Sequence, residues 1–166
     1  MKRMMMLVLL LGLVAFGAGA AWAATVEPPA DCVHCGMNRT TFSHSRMLIE
    51  YADGTSVGTC SINCVAVDLA ANPGKKVKAV KVADYNTKEL IDAKTATWVM
   101  GGSKKGVMTM EPKWAFAAKA DAEKFVKEFG GTIVTYDAAL KAASKSPKQG
   151  KKKPVMMPHG HEEMHH

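Results

Sequence analysis

A pattern of two strands, a helix and a third strand occurs twice along the chain, and this repetition constrains the fold more than any other feature. The predicted strands of the first copy are residues 46–51, 55–59 and 76–82. In the second copy a helix again precedes the last strand, and the predicted strands are residues 95–100, 107–110 and 132–136, with a short helix near residues 138–142 after them. Two successive β-β-α-β units predict one small α+β domain.

Turn and capping residues mark the boundaries of these elements. Asp53-Gly54 is typical of a two-residue hairpin turn. Ser61 is a suitable N-cap for the first helix, which the Asn72-Pro73-Gly74 segment ends. In the second helix, which we expect to begin at Asp121 and to end at Gly130, apolar residues recur at helical spacing. These signals predict one folded domain over residues 31–143.

The first residues of the chain are typical of an export signal. Lys2 and Arg3 precede an almost entirely apolar run over residues 4–16 and a cleavage motif at Ala21-Trp22-Ala23. The run is shorter than the roughly 20 residues that span a bilayer, so we expect cleavage rather than retention as an anchor. The prediction is a signal peptide over residues 1–23, a linker over residues 24–30 and a periplasmic protein without a stable membrane span.

The tail, residues 144–166, differs in composition from the body of the chain. It lacks apolar periodicity and is rich in Pro, Gly, Lys, Met and His, which predicts a segment that is disordered without a ligand. Its methionines and histidines could collect metal ions with low affinity. No basic patch alternates with aromatic residues, so we do not expect a nucleic-acid partner.

Four cysteines occur as two close pairs, Cys32-x2-Cys35 and Cys60-x3-Cys64. In an oxidising compartment such residues serve as structural disulfides, redox catalysts or soft-metal ligands. Gly36 directly follows the first pair and lets the backbone turn both sulfurs toward one ion. Cys64 falls within the first turn of the predicted first helix, where free amides and the helix dipole stabilise a thiolate.

Methionines favour copper among the possible metals. Met108 and Met110 stand at alternate positions of a predicted strand, hence on one side of it. Thioethers suit Cu(I), whereas Zn(II) rarely takes methionine. Met47 and Met100 are expected to pack in the core. The candidate metal ligands are Cys32, Cys35, Met37, Cys60, Cys64, Met108 and Met110, and His34 could bind the metal or tune it.

Two other functions are compatible with the cysteines. A thiol–disulfide oxidoreductase could use Cys32 and Cys35, although this pair precedes the folded body and Gly36 begins no convincing helix. Alternatively, all four cysteines could bind one structural zinc ion, with 24 residues between Cys35 and Cys60, or form two disulfides.

A longer series of residues resembles a known family. Cys35-Gly36-Met37 is followed along the chain by Asp84-Tyr85, Ile91-Asp92-Ala93, Ala96, Trp98-Val99, a Gly/Met stretch at residues 106–110, Phe116, Asp121-Ala122, Phe125 and Gly130-Gly131. This order, over roughly residues 31–139, resembles the NosL family of periplasmic copper-binding accessory proteins associated with nitrous oxide reductase. The chain differs from many relatives because it lacks a lipoprotein cysteine, contains the Cys60/Cys64 pair and ends in the Met/His tail.

The resemblance implies two similar β-β-α-β halves and a carrier of Cu(I) for the maturation of a copper enzyme, not an enzyme. The family's cysteine corresponds to Cys35 and its methionine to Met108, with Met37 in the same Cys-Gly-Met motif. We therefore expect Cys35 to be the main thiolate and Met108 a thioether ligand, while Cys32, Met37 or Met110 completes the set. The expected partner is the copper enzyme or its assembly machinery, by resemblance nitrous oxide reductase.

Overall fold

The computed structural model describes residues 26–145. The predicted signal peptide lies outside the described residues, as do residues 24 and 25 of the linker and residues 146–166 of the tail. The elements of the described part are β1 (Met47–Tyr51), β2 (Ser56–Thr59), α1 (Ile62–Ala71), β3 (Val77–Ala83), β4 (Leu90–Asp92), β5 (Thr97–Met100), β6 (Lys113–Phe116), α2 (Lys119–Phe129), β7 (Thr132–Val134) and α3 (Tyr136–Lys145).

The β-β-α-β order occurs twice, as β1-β2-α1-β3 and as β5-β6-α2-β7, so the predicted α+β fold is confirmed. In each unit the first strand is central, because β1 pairs with β2 and β3, and β5 pairs with β6 and β7, all antiparallel. The sheets have the strand orders β2-β1-β3-β4 and β6-β5-β7. Within residues 26–145, no helix is both long enough and apolar enough to cross a membrane.

The register of the first sheet places the second cysteine pair. Met47 lies opposite Thr59 on β2 and opposite Val82 on β3. Since side chains of a strand alternate between its two faces, Met47, Ile49 and Tyr51 all point into the core, where they are buried. Cys60 follows the last residue of β2 and is fully buried, and α1 begins two residues later.

Two apolar clusters fill the interior. The first joins both units around Trp98, whose indole Nε1 donates to the Ala93 carbonyl at 2.8 Å. The second consists of buried residues from the cysteine segments, the second sheet, the loop between β5 and β6, and α2: Cys32, Cys60, Cys64, Val99, Val107, Trp114, Phe116, Ala122 and Phe125. Trp98 and Trp114 are both buried core residues. The second cluster therefore packs three of the four cysteines against the other half of the molecule.

The predicted strand at residues 107–110 is wrong. That segment is an irregular loop, and the return strand of the second unit is β6. The backbone of Met108 has a φ of 58°, in the left-handed region, which is incompatible with a strand. A Cβ at Gly106 would lie 2.7 Å from Thr109, which shows how tightly the loop folds on itself. Met108 and Met110 therefore do not share one side of an extended segment.

Two boundaries and one short strand also differ from the prediction. α2 begins at Lys119 with Ala118 at the N-cap, so Asp121 lies in its first turn, where its charge complements the helix dipole. The short strand β4 carried too few residues for a recognisable alternation and was not predicted. α3 begins at Tyr136, which the sequence had placed in the preceding strand.

Candidate metal centre

The first cysteine pair lies in a tight turn. The amide of Gly36 donates to the Cys32 carbonyl at 2.8 Å, and the amide of Cys32 donates to the Met37 carbonyl at 2.9 Å. Gly36 has a φ of 73°, a conformation that glycine adopts without strain. The turn leaves Cys32 buried and Cys35 partly exposed, so Cys35 is the accessible sulfur of the pair.

The second pair spans the junction of β2 and α1. Cys60 is fixed by Ser45, whose hydroxyl donates to the Cys60 carbonyl at 2.8 Å. Cys64 is the third residue of α1, within its first turn as predicted. Ser61 occupies the N-cap position, but its side chain makes no capping hydrogen bond.

All four sulfurs meet at one point. Each cysteine Sγ lies within 4.8 Å of the other three. Measured separations are 3.5 Å for Cys35–Cys60, 3.8 Å for Cys60–Cys64 and 3.7 Å for Cys35–Cys64. A tetrahedral ion with metal–sulfur bonds of about 2.3 Å separates its ligands by about 3.8 Å. The residues Cys32, Cys35, Cys60 and Cys64, called the four-cysteine cluster below, thus have the spacing of ligands to one ion, and all four are free thiols rather than disulfides.

The thiols of the cluster influence one another's ionisation. Hydrogen bonds from the Cys60 and Cys64 thiols stabilise a thiolate at Cys32 and lower the pKa of Cys32. The same contacts with Cys32 raise the pKa of Cys60 and of Cys64, and burial adds to both increases. The sequence predicted a thiolate at Cys64 stabilised by the start of α1, whereas contacts with Cys32 and Cys60 raise the pKa of the Cys64 thiol.

A buried carboxylate fixes the first turn to α1. Asp68 lies one helical turn after Cys64 and accepts a hydrogen bond from the Tyr51 hydroxyl. Its other oxygen lies 2.8 Å from Nε2 of His34, the residue between the two cysteines of the turn. The Nε2 atom of His34 therefore ties the first turn to α1.

Arg39 holds the segment before Cys32 against β2, next to Cys60. Its guanidinium is fully buried and donates to the carbonyls of Pro29, Met47 and Thr59 and to the carboxylate of Glu27. Gly58 makes room for it, because a Cβ there would lie 2.7 Å from the guanidinium. Nothing in the local sequence distinguishes Arg39 from a surface arginine, and sequence reasoning missed it.

The three candidate methionines differ in burial and in packing. Met37 and Met108 are partly buried and pack against the apolar cluster that contains three of the cysteines. Met110 is 99% exposed and is not brought to the four-cysteine cluster. The structure thus gathers Cys32, Cys35, Cys60 and Cys64 with Met37 and Met108 at their side, and separates Met110 from them.

Comparison with known proteins gives the family. The sequence model of the NosL family matches residues 23–143. The chain belongs to the NosL family. Its structure is similar to the crystal structure of the copper chaperone NosL from Shewanella denitrificans, with a TM-score of 0.56 and 25% sequence identity over 71% of this chain and 95% of that chain. No curated protein matches the sequence.

Membership of the NosL family also bears on the oxidoreductase alternative. The family is not one of enzymes, so the expectation that this chain has no enzymatic activity is confirmed. The geometry agrees, because Cys32 and Cys35 lie in a turn and not at the N-terminus of a helix, where redox cysteines are usually activated.

Two residues of the NosL motif series have structural roles. Asp84 is buried and accepts hydrogen bonds from the amides of Asn86, Thr87 and Ala117, which ties the loop after β3 to the end of β6. Tyr85 packs against Trp114 and Phe125 at centroid distances of 5.4 and 5.0 Å. His44 joins these rings, and its ring centroid lies 5.4 Å from that of Trp114.

Proposed function

We propose that the protein is an exported copper-binding accessory protein that carries Cu(I) to a copper enzyme. The observation that carries this proposal is the four-cysteine cluster, in which three sulfurs are buried and that of Cys35 is partly exposed. Thiolates and thioethers are the donors that suit Cu(I). Membership of the NosL family and similarity to a solved copper chaperone support the same function.

The candidate sulfur ligands have two roles, which are to hold the copper ion and to pass it to a partner. Cys35 is the main thiolate and the point at which a partner's ligand approaches, because it is the accessible sulfur. Met108 supplies a thioether, and Cys32 or Met37 completes the set around Cu(I), with Cys60 and Cys64 within reach. Each thiol that becomes a ligand releases its proton. Met110 and the tail collect copper outside this centre.

The client that we propose is nitrous oxide reductase or its assembly machinery, encountered in the periplasm. Cleavage of residues 1–23 would release the carrier without a membrane span, and the domain would comprise residues 31–143. Delivery then requires transfer of Cu(I) between sulfur ligands of two proteins, for which a partly exposed donor such as Cys35 is suited.

An anaerobic titration of the reduced protein with Cu(I), combined with X-ray absorption spectroscopy, tests this function. We expect one tightly bound Cu(I) with a shell dominated by sulfur, and loss of that site in Cys35→Ser. Met100→Leu is the control, because Met100 lies in β5 and is expected to pack rather than to bind. Unchanged affinity in Cys35→Ser would contradict the assignment.

Structural zinc is the second candidate, and the sulfur spacing favours it specifically. Separations of 3.5–3.8 Å match a closed tetrahedral site, which Zn(II) prefers. Zinc in this role would hold the fold and would not exchange. Metal analysis of protein purified without added metal, followed by unfolding with and without a chelator, distinguishes the two: a chelator-sensitive fold containing stoichiometric zinc that Cu(I) does not displace supports the structural role.

A further inference from the structure

The loop that carries Met108 lies against the first turn of α1, and a side chain of α1 connects them. Asn63, the second residue of α1, donates its Nδ2 to the Met108 carbonyl at 3.0 Å. Asn63 directly precedes Cys64, so one turn of helix carries both a member of the four-cysteine cluster and the contact to the methionine loop.

The backbone of Met108 needs such support. With a φ of 58°, Met108 is one of two non-glycine residues in residues 26–145 that adopt a positive φ. This conformation is unfavourable for an L-residue with a Cβ, so other contacts must compensate for it. A hydrogen bond to the carbonyl of the same residue fixes the orientation of its peptide group. The consequence is that the Met108 side chain packs against the cysteine-containing cluster, while Met110, two residues on, is fully exposed.

The second polar atom of the Asn63 side chain indicates that apolar packing is not the reason for an asparagine at this position. Its Oδ1 is buried and has no hydrogen-bond partner within the described part of the chain. A buried acceptor without a partner is unfavourable. The side-chain amide of Asn63 thus makes one hydrogen bond, to the Met108 carbonyl, while burial of its unpaired Oδ1 destabilises the fold.

We propose that Asn63 is a positioning residue that holds the Met108 side chain against the apolar cluster containing Cys32, Cys60 and Cys64, and so makes the site selective for Cu(I). Asn63 itself is not a ligand. Because a thioether suits Cu(I) and is rarely taken by Zn(II), the loss of this contact lowers the affinity for Cu(I) without weakening a site made of the four thiolates. The inference rests on the proposed function, in which Met108 is a ligand to Cu(I).

Two metal probes and a matched control test the role of Asn63. The affinity of the reduced protein for Cu(I) is measured against a chromophoric Cu(I) chelator, and its affinity for Co(II), which reports on the four thiolates by its visible absorption, is measured directly. We expect Asn63→Ala and Asn63→Asp to weaken Cu(I) binding by about 10-fold, as is usual for residues that orient metal ligands, and to leave Co(II) binding unchanged. Asn72→Ala is the control, because Asn72 also donates to a backbone carbonyl, that of Asp68, at the far end of α1.

A double variant separates positioning from a general structural effect. If Asn63 acts through Met108, then Met108→Leu shows the same loss of Cu(I) affinity, and Asn63→Ala combined with Met108→Leu shows no further loss. Multiplicative losses in the double variant would overturn the proposal. So would a parallel loss of Co(II) binding, which would mean that Asn63 supports the fold, or wild-type Cu(I) affinity in Asn63→Ala.

Methyl NMR of the metal-free protein tests the positioning of Met108 by Asn63 independently of copper binding. The Met108 methyl resonance, assigned with Met108→Leu, should shift in Asn63→Ala toward that of exposed Met110, and it should not shift in Asn72→Ala. If wild type binds no Cu(I), the proposed function fails, and the Met108 methyl shift still decides whether Asn63 positions the thioether. An unshifted methyl resonance would overturn the proposal.

Discussion

Asp68 connects three parts of the structure through one carboxylate. It lies on α1, accepts the Tyr51 hydroxyl from β1 and contacts His34 between the first two cysteines. Asp68 and Tyr51 are buried, so water has little access to their contact, whereas the His34 side chain is 20% exposed. The orientation of Cys32 and Cys35 toward α1 therefore depends on a residue that is not itself a candidate ligand.

Removal of this carboxylate should destabilise the protein. Asp68→Ala leaves the buried Tyr51 hydroxyl without its partner, which costs about 1–3 kcal/mol, and it also removes the partner of the partly exposed His34 ring. We expect the free energy of unfolding in urea to fall by about 3 kcal/mol. Asp53→Ala, at an exposed turn carboxylate, serves as control. Equal effects of the two changes would show that Asp68 does not fix the turn.

His44 gives the stability of the protein a pH dependence. Burial among aromatic rings lowers the pKa of His44 below its ordinary value of 6.5, and the charge of Lys88 lowers it further. The unfolded chain thus binds more protons than the folded one as the pH falls through 6.5, so stability decreases with acidification. We expect the loss of unfolding free energy between about pH 7.5 and about pH 5.5 to be smaller in His44→Gln. Urea denaturation at both pH values measures it, and identical losses would contradict the burial of His44.

At the scale of elements, the turn at the first cysteine pair depends on backbone freedom at Gly36. Gly36 and Gly74 both have open space where a Cβ would be, but only Gly36 has a positive φ. Gly36→Ala should therefore destabilise the protein by about 1–2 kcal/mol, the strain of a left-handed alanine. Gly74→Ala should be neutral or slightly stabilising. If chemical denaturation gives the same result for both, strain at Gly36 is not the cause.

Local sequence patterns were sufficient to predict most helices and strands. They failed where contacts between distant parts of the chain determine the backbone conformation. The hairpin of β1 and β2 was predicted, because its signals lie within a few residues of one another: the Asp53-Gly54 turn and the alternation of Met47, Ile49 and Tyr51. Residues 107–110 alternate like a strand, yet Met108 turns left-handed. Its support comes from Asn63, which is 45 positions away in the sequence and beyond any local pattern.

The same limit applies to the candidate site. Cysteine spacing and methionine content identified the sulfur residues as candidates. Whether Cys60 and Cys64 join Cys35 depends on how β2 and α1 dock beside the first turn, which in turn depends on buried Arg39 and Asp68. Side chains of these types are usually exposed, so sequence alone offers no reason to place them inside.

At the scale of the whole molecule, the four-cysteine cluster lies where the two β-β-α-β units meet. Three of its sulfurs belong to the same apolar cluster as Val99 of β5, Trp114 of β6 and Phe125 of α2. Residues of both units also share the first apolar cluster around Trp98. An ion held by the cysteines would therefore stabilise contacts between the units and not only the first of them.

Loading with Cu(I) should accordingly stabilise both units together. A ligand that binds only the folded protein raises the unfolding free energy by about 4 kcal/mol when its free concentration is about 1,000 times the dissociation constant. With chelator-buffered Cu(I), we expect this gain in wild type and little gain in Cys35→Ser, each compared with its own metal-free form. Amide hydrogen exchange should slow in β5 and β6 as well as in α1, because Val99 and Trp114 pack against the cysteines. Protection confined to α1 and the first turn would show that the ion binds without coupling the units.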